Sequence, residues 1–121
     1  MPFTGHLKIK IVEASDLKPT QLSVRHSISK NQTLIDPFVN IAVDESTLVK
    51  TTAKSRTFKP VWNEAFEFDL IDSKSLQLNI FNKSAFSNDE FVANCSFEFD
   101  EFFNQNESGG CEAADLWVRE H

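Results

Sequence analysis

Lys59-Pro60-Val61-Trp62-Asn63-Glu64-Ala65-Phe66-Glu67-Phe68-Asp69-Leu70 is the stretch on which the fold class of this 121-residue chain turns. Proline lacks an amide donor and biases the residue before it away from helix, so Lys59-Pro60 breaks the chain ahead of Trp62. Beyond it, Phe66, Phe68 and Leu70 alternate with Ala65, Glu67 and Asp69. A period of two puts one set on each face of a half-buried strand.

The same period recurs outward in both directions. Leu7, Ile9 and Ile11 alternate with His6, Lys8 and Lys10, and Val39, Ile41 and Val43 alternate with Phe38, Asn40 and Ala42. Leu76, Leu78 and Ile80 alternate with Ser75, Gln77 and Asn79. Phe91, Ala93, Cys95, Phe97 and Phe99 form a further run, which predicts that all five face the core. Thr47–Thr51 and Leu116–Val118 are shorter strand candidates, and Asp44-Glu45-Ser46 is a hairpin turn. Glu98–Phe103 predicts one helical turn, with Glu98, Asp100 and Glu101 on its solvated side, and Asn104–Gly110 a polar loop. Short strands with one polar face each predict an all-β antiparallel sandwich in a single domain, residues 1–121. Trp62 belongs to its core. Three longer loops, Glu13–Ile35, Lys50–Val61 and Asn82–Asp89, are where a rigid sandwich carries its function.

Composition narrows the function. Hydrophobic residues make up 40% and charged ones 25%, the balance of a globular chain, and 12 Phe without Tyr favours strands. A net charge of -6 argues against nucleic acid, whose phosphates demand an excess of Lys and Arg. Met1-Pro2-Phe3-Thr4-Gly5 lacks the charged stretch and apolar run of a secretory signal, and no apolar segment reaches bilayer-spanning length. With that reading Cys95 and Cys111 are expected as thiols, the compartment as cytoplasmic, and the Asn-x-Ser/Thr sequons as chance.

Particular residues resemble a known family. Asp36-Pro37-Phe38 opening a strand, and Pro60-Val61-Trp62-Asn63-Glu64-Ala65-Phe66, are similar to segments of C2 domains. Leu17-Lys18-Pro19-Thr20, Ser23-Val24-Arg25-His26 and Phe91-Val92-Ala93-Asn94-Cys95 resemble the epsilon and eta group of novel-type protein kinases C, from about Phe3 to Val118. The resemblance implies a Greek-key sandwich of the C2 type. It also implies a closing strand beyond Arg119-Glu120-His121, so the sandwich is expected to be truncated, with its final strand missing.

It further sets an expectation about calcium. A calcium-binding C2 domain gathers several Asp carboxylates from two loops, because a hard cation takes charged oxygens. Here Asp36 is kept, an upstream ligand position holds Lys30, and the later loop reads Asn82, Ser84 and Glu90, with Asp89 beside the last. The expectation is no calcium site and no cofactor. Asp36 is then a turn-stabilising residue at the entry to its strand.

Two surfaces remain. Leu22 and Phe86 are apolar residues in polar loops, read as membrane-touching tips or as caps on the sandwich. Lys50, Lys54, Arg56 and Lys59, extended by Arg25, form a basic patch for anionic head groups, or else edge lysines that discourage aggregation. Neither cysteine has a base nearby in sequence, and 3 Gly leave little room for a phosphate loop. The expectation is therefore a non-catalytic, calcium-independent regulatory module of a serine/threonine kinase, recruited reversibly from cytoplasm to anionic phospholipid membrane. Kinase-anchoring or autoinhibitory protein contacts would share its surface. The alternative is a protein-interaction domain without lipid affinity.

Overall fold

The computed structural model describes residues 2–18, 34–84, 88–99, 108–111 and 116–120. Eight strands lie among them: β1 (Phe3–Glu13), β2 (Pro37–Val43), β3 (Ser46–Lys50), β4 (Val61–Ser73), β5 (Ser75–Asn82), β6 (Glu90–Glu98), β7 (Ser108–Cys111) and β8 (Leu116–Glu120). They form two four-stranded sheets, β4-β1-β8-β7 and β3-β2-β5-β6, in which every pair is antiparallel.

Alternation builds the core between the sheets. Leu7, Ile9 and Ile11 of β1 meet Val39, Ile41 and Val43 of β2 and Leu76, Leu78 and Ile80 of β5 in one buried cluster. Trp62 joins it, and its indole N–H donates to the Thr52 carbonyl at 3.0 Å, so the ring is buried without an orphaned donor. Phe66 and Phe68 pack against this cluster half-buried, and Leu70 is fully inside it. The central strand β2 is buried along its whole length.

Three expectations need correction. The sandwich does not lack a strand: β8 pairs with β1, and β7, placed within the stretch read as a polar loop and just past it, pairs with β8. Ser108-Gly109-Gly110-Cys111 has no apolar alternation, so its pairing was not visible as a pattern. Second, Phe91 is not core but 58% exposed. A register shift between Ile80 and Phe81 inserts an extra residue in β6, so Phe91 opposes Phe81 while Ala93 opposes Ile80. Such a bulge reverses which face each residue takes, and Val92 packs against the core instead. Third, Cys95, 8% exposed on β6, is disulfide-bonded rather than a thiol. Of the predicted helical turn, residues 100–103 lie outside the described residues.

Candidate functional site: a lysine-flanked aromatic row

The basic segment 51–60 is not a free loop. Thr51 N–H donates to the Val39 carbonyl at 2.8 Å, and Lys54 N–H to that of Pro37 at 3.0 Å. Arg56 N–H donates to Asp36 Oδ1 at 2.7 Å, and Thr57 N–H to the Ile35 carbonyl at 2.8 Å. The segment therefore runs back along 35–39, which carries Lys50, at the end of β3, to the outer side of β2.

There Lys50 Nζ stands over the Phe38 ring, 5.9 Å from its centroid, and Lys83 Nζ stands over the same ring at 5.8 Å. An aromatic face attracts a cation through its quadrupole, by about 0.5–1 kcal/mol at exposed sites. Phe38 stacks on Phe81 at 5.8 Å, and Phe81 meets Phe91 edge-on at 6.2 Å. The strand register explains the row: Phe38 opposes Phe81, and Phe81 opposes Phe91. Two adjoining hollows open here. One, of about 130 Å³, is lined by Phe38, Lys50, Thr51, Ala53 and Lys83. The other is lined by Phe38, Asn40, Lys50, Phe81 and Asp89.

Of the predicted patch, Lys50 lines both hollows, whereas Lys54, Arg56 and Lys59 continue along the same segment without lining either. Sequence reasoning missed Lys83 and the aromatic row. Lys83 directly follows Asn82, which pairs with Pro37, so strand register was the signal that would have found it. Asp89 opposes the lysines in part: its Oδ2 lies 3.8 Å from Lys83 Nζ, and its Oδ1 accepts from Ser84 N–H at 2.9 Å. Leu22, Phe86, Arg25 and Lys30 lie outside the described residues.

Of the positions matched to calcium ligands, Asp36, Asn82 and Glu90 sit together at the same end, since Pro37, Asn82 and Glu90 are cross-strand neighbours. Their polar atoms serve the fold. Asn82 Oδ1 accepts from Asp36 N–H at 2.9 Å, Asn82 Nδ2 donates to Glu90 Oε1 at 3.4 Å, and Asp36 Oδ1 holds the Arg56 amide. Asp36 thus stabilises the entry to β2 by pinning the basic segment.

On the outer face of the other sheet, His6 lies 2.7 Å from Asp69 and 3.2 Å from Glu67. The hydrogen bond to Asp69, then that to Glu67, holds the imidazole above its ordinary pKa. Bonds from His6 and then Lys8 hold Glu67 below the usual carboxylate value.

A sandwich of two four-stranded antiparallel sheets in this strand order defines the class, and a family model described as C2 domain matches residues 5–113. The chain belongs to the C2 domain family. Among curated proteins it is 42% identical over 120 residues to a protein kinase C of Drosophila melanogaster, covering 96% of this chain and 16% of that protein. It is 36% identical over 119 residues to human protein kinase C eta type, covering 98% of this chain and 17% of the relative. To rat protein kinase C epsilon type it is 41% identical over 101 residues, covering 82% of this chain and 14% of the relative. These are novel-type kinases, and the chain corresponds to their C2 part, a regulatory module and not a catalytic one. It spans about a sixth of the length of the relatives it matches. Among solved structures, a pair of C2 domains of Extended-Synaptotagmin 2, calcium bound, matches with a TM-score of 0.76 at 19% identity, covering 100% of this chain and 46% of that one. A C2 domain of plant Extended Synaptotagmin 1 matches at 0.73 and 22% identity, covering 99% and 94%. Those likenesses concern the fold alone.

Proposed function

We propose that this chain is a calcium-independent membrane-targeting module of a novel-type serine/threonine protein kinase C, which docks on anionic phospholipid through the Phe38 row. The observation that carries this reading is the pair of lysine ammoniums, Lys50 and Lys83, over one aromatic ring. Two convergent cations suit a phosphate, and the partly exposed row beside them suits the acyl boundary beneath a head group. Each cation near an anionic surface contributes about 1 kcal/mol. The acidic net charge of -6 keeps binding weak and local, as reversible recruitment from the cytoplasm requires. Kinase-anchoring or autoinhibitory contacts would compete for the same surface.

Calcium independence is supported by what the retained oxygens already do. Asp36 and Asn82 are engaged with backbone amides, and Lys30 stands in sequence where a carboxylate would be needed. Sedimentation with neutral and anionic vesicles, each in calcium and in chelator, tests both parts. Binding to anionic vesicles alone, unchanged by chelator, is expected. Binding only in calcium overturns the calcium reading. Absence from both vesicle types leaves the protein-interaction alternative.

A further inference from the structure

The segment between β3 and β4 holds four hydroxyl side chains among its cations, and they are not equivalent. Thr51 is buried, its Oγ1 accepting from Val39 N–H at 2.9 Å and donating to the Thr52 carbonyl at 3.0 Å. Thr52 Oγ1 donates to Glu64 Oε2 at 2.7 Å. Thr57 is half-buried, and its Oγ1 accepts from Lys59 N–H at 2.9 Å. Ser55 is exposed. It stands at a bend whose two sides are tied down, by Lys54 N–H to Pro37 and by Arg56 N–H to Asp36, so its side chain is held out from the sandwich.

Its surroundings in sequence are uniformly basic: Lys50, Lys54, Arg56 and Lys59, with no acid from Ser46 to Asn63. Elsewhere the chain is acidic enough to reach -6 overall. A hydroxyl presented between cations is what a basophilic serine/threonine kinase, whose substrate cleft is acidic, would select electrostatically.

We propose that Ser55 is a phosphoacceptor, and that its phosphate is a switch that releases the basic surface from anionic ligands. The second half rests on the membrane reading above. Ser55 Oγ attacks the γ-phosphorus of MgATP, an O–P bond forms, and the bond from that phosphorus to the β,γ-bridging oxygen breaks. ADP leaves, and the serine proton passes to the base of the modifying kinase. The product adds about -1.5 to -2 charge at neutral pH, enough to cancel roughly two of the four neighbouring cations. Phosphorylation of a basic membrane-binding segment is a general way to release it from an anionic surface.

The test uses the chain, MgATP and the catalytic subunit of a basophilic serine/threonine kinase, with the phosphate mapped by tandem mass spectrometry. About one phosphate at Ser55, absent from Ser55→Ala, is expected. The phosphorylated chain should bind vesicles containing phosphatidylserine at least about tenfold more weakly than the unmodified chain, since about two cations are neutralised. Phosphate only on other residues, or none while a basic control peptide is modified, overturns the acceptor assignment. Phosphate at Ser55 with unchanged vesicle binding overturns the switch. Failure of the unmodified chain to bind vesicles refutes the membrane reading and with it the switch, while the mass spectrum decides the acceptor independently.

Discussion

Asn82 offers the sharpest perturbation of the end of the sandwich where β2, β5 and β6 meet. It is 6% exposed, and its partners include the Asp36 amide at 2.9 Å and Glu90 Oε1 at 3.4 Å. Asn82→Ala removes the acceptor and leaves the Asp36 N–H unsatisfied at a half-buried position. That costs about 1–3 kcal/mol, or roughly 4 °C of melting temperature for each kcal/mol at this size. Asn82→Asp keeps the acceptor but turns a donor into a carboxylate facing Glu90. Two unit charges at that separation repel by about 5 kcal/mol at an effective dielectric of ~20. Water and side-chain movement should reduce this to about 1–2 kcal/mol, since Glu90 is only half-buried. Repulsion raises the carboxyl pKa of the folded pair, so the penalty is full near pH 7 and disappears as pH falls and a proton is taken up. Urea unfolding of both variants at pH 7 and pH 5 measures this. The reasoning fails if Asn82→Ala unfolds within about 0.3 kcal/mol of the parent chain, or if Asn82→Asp is equally unstable at both pH values.

Phe91→Ala should lower stability by less than about 1 kcal/mol, because its ring is mostly exposed, whereas Leu78→Ala at a fully buried site should cost about 2–5 kcal/mol. Anionic-vesicle binding should fall for Phe91→Ala, and a large stability loss there would return Phe91 to the core. Asp89→Asn removes a carboxylate that lines one of the two lysine hollows and should strengthen binding to anionic vesicles several-fold, by about the 1 kcal/mol a unit charge contributes; weaker binding would mean that Asp89 is needed to position Lys83. His6 should titrate by NMR above the ordinary histidine value of about 6.5, moving down most in Asp69→Asn and less in Glu67→Gln. Because its folded pKa is raised, its contribution to stability is complete below that ordinary value and is lost as pH rises through the folded one. A midpoint at or below the ordinary value would remove the pairing.

The core was readable because three strands keep strict alternation: the inward residues named for β1, β2 and β5 are those that join the one core cluster, although β2 buries its other face as well. Alternation could not reveal a bulge, since one extra residue leaves the run looking regular while turning Phe91 outward. Nor could it reveal β7, whose glycines carry no pattern and whose place comes from pairing with β8. The site was half legible. A run of cations marked Lys50, yet its partner Lys83 lies far away in sequence and arrives through the pairing of Pro37 with Asn82. Phe38 and Phe81 look like ordinary strand aromatics until register puts them side by side. Of the positions matched to calcium ligands, Asp36 and Asn82 look in sequence like spare oxygens, and only strand pairing shows that they accept from backbone amides.

The central claim is that a local cluster of cations led by Lys50 and Lys83, and not overall charge, holds the chain on an anionic surface. The measurement is the dissociation constant for phosphatidylserine-containing vesicles of Lys50→Glu/Lys83→Glu against Lys8→Glu/Lys74→Glu. The second pair makes the same change in net charge on the other sheet and at the β4–β5 turn. Losing two cations near the membrane, at about 1 kcal/mol each, and adding two anions predicts a loss of about 30-fold or more for the first pair. The second pair should lose no more than a few-fold. Equal losses in the two variants, or none in the first, would contradict the account.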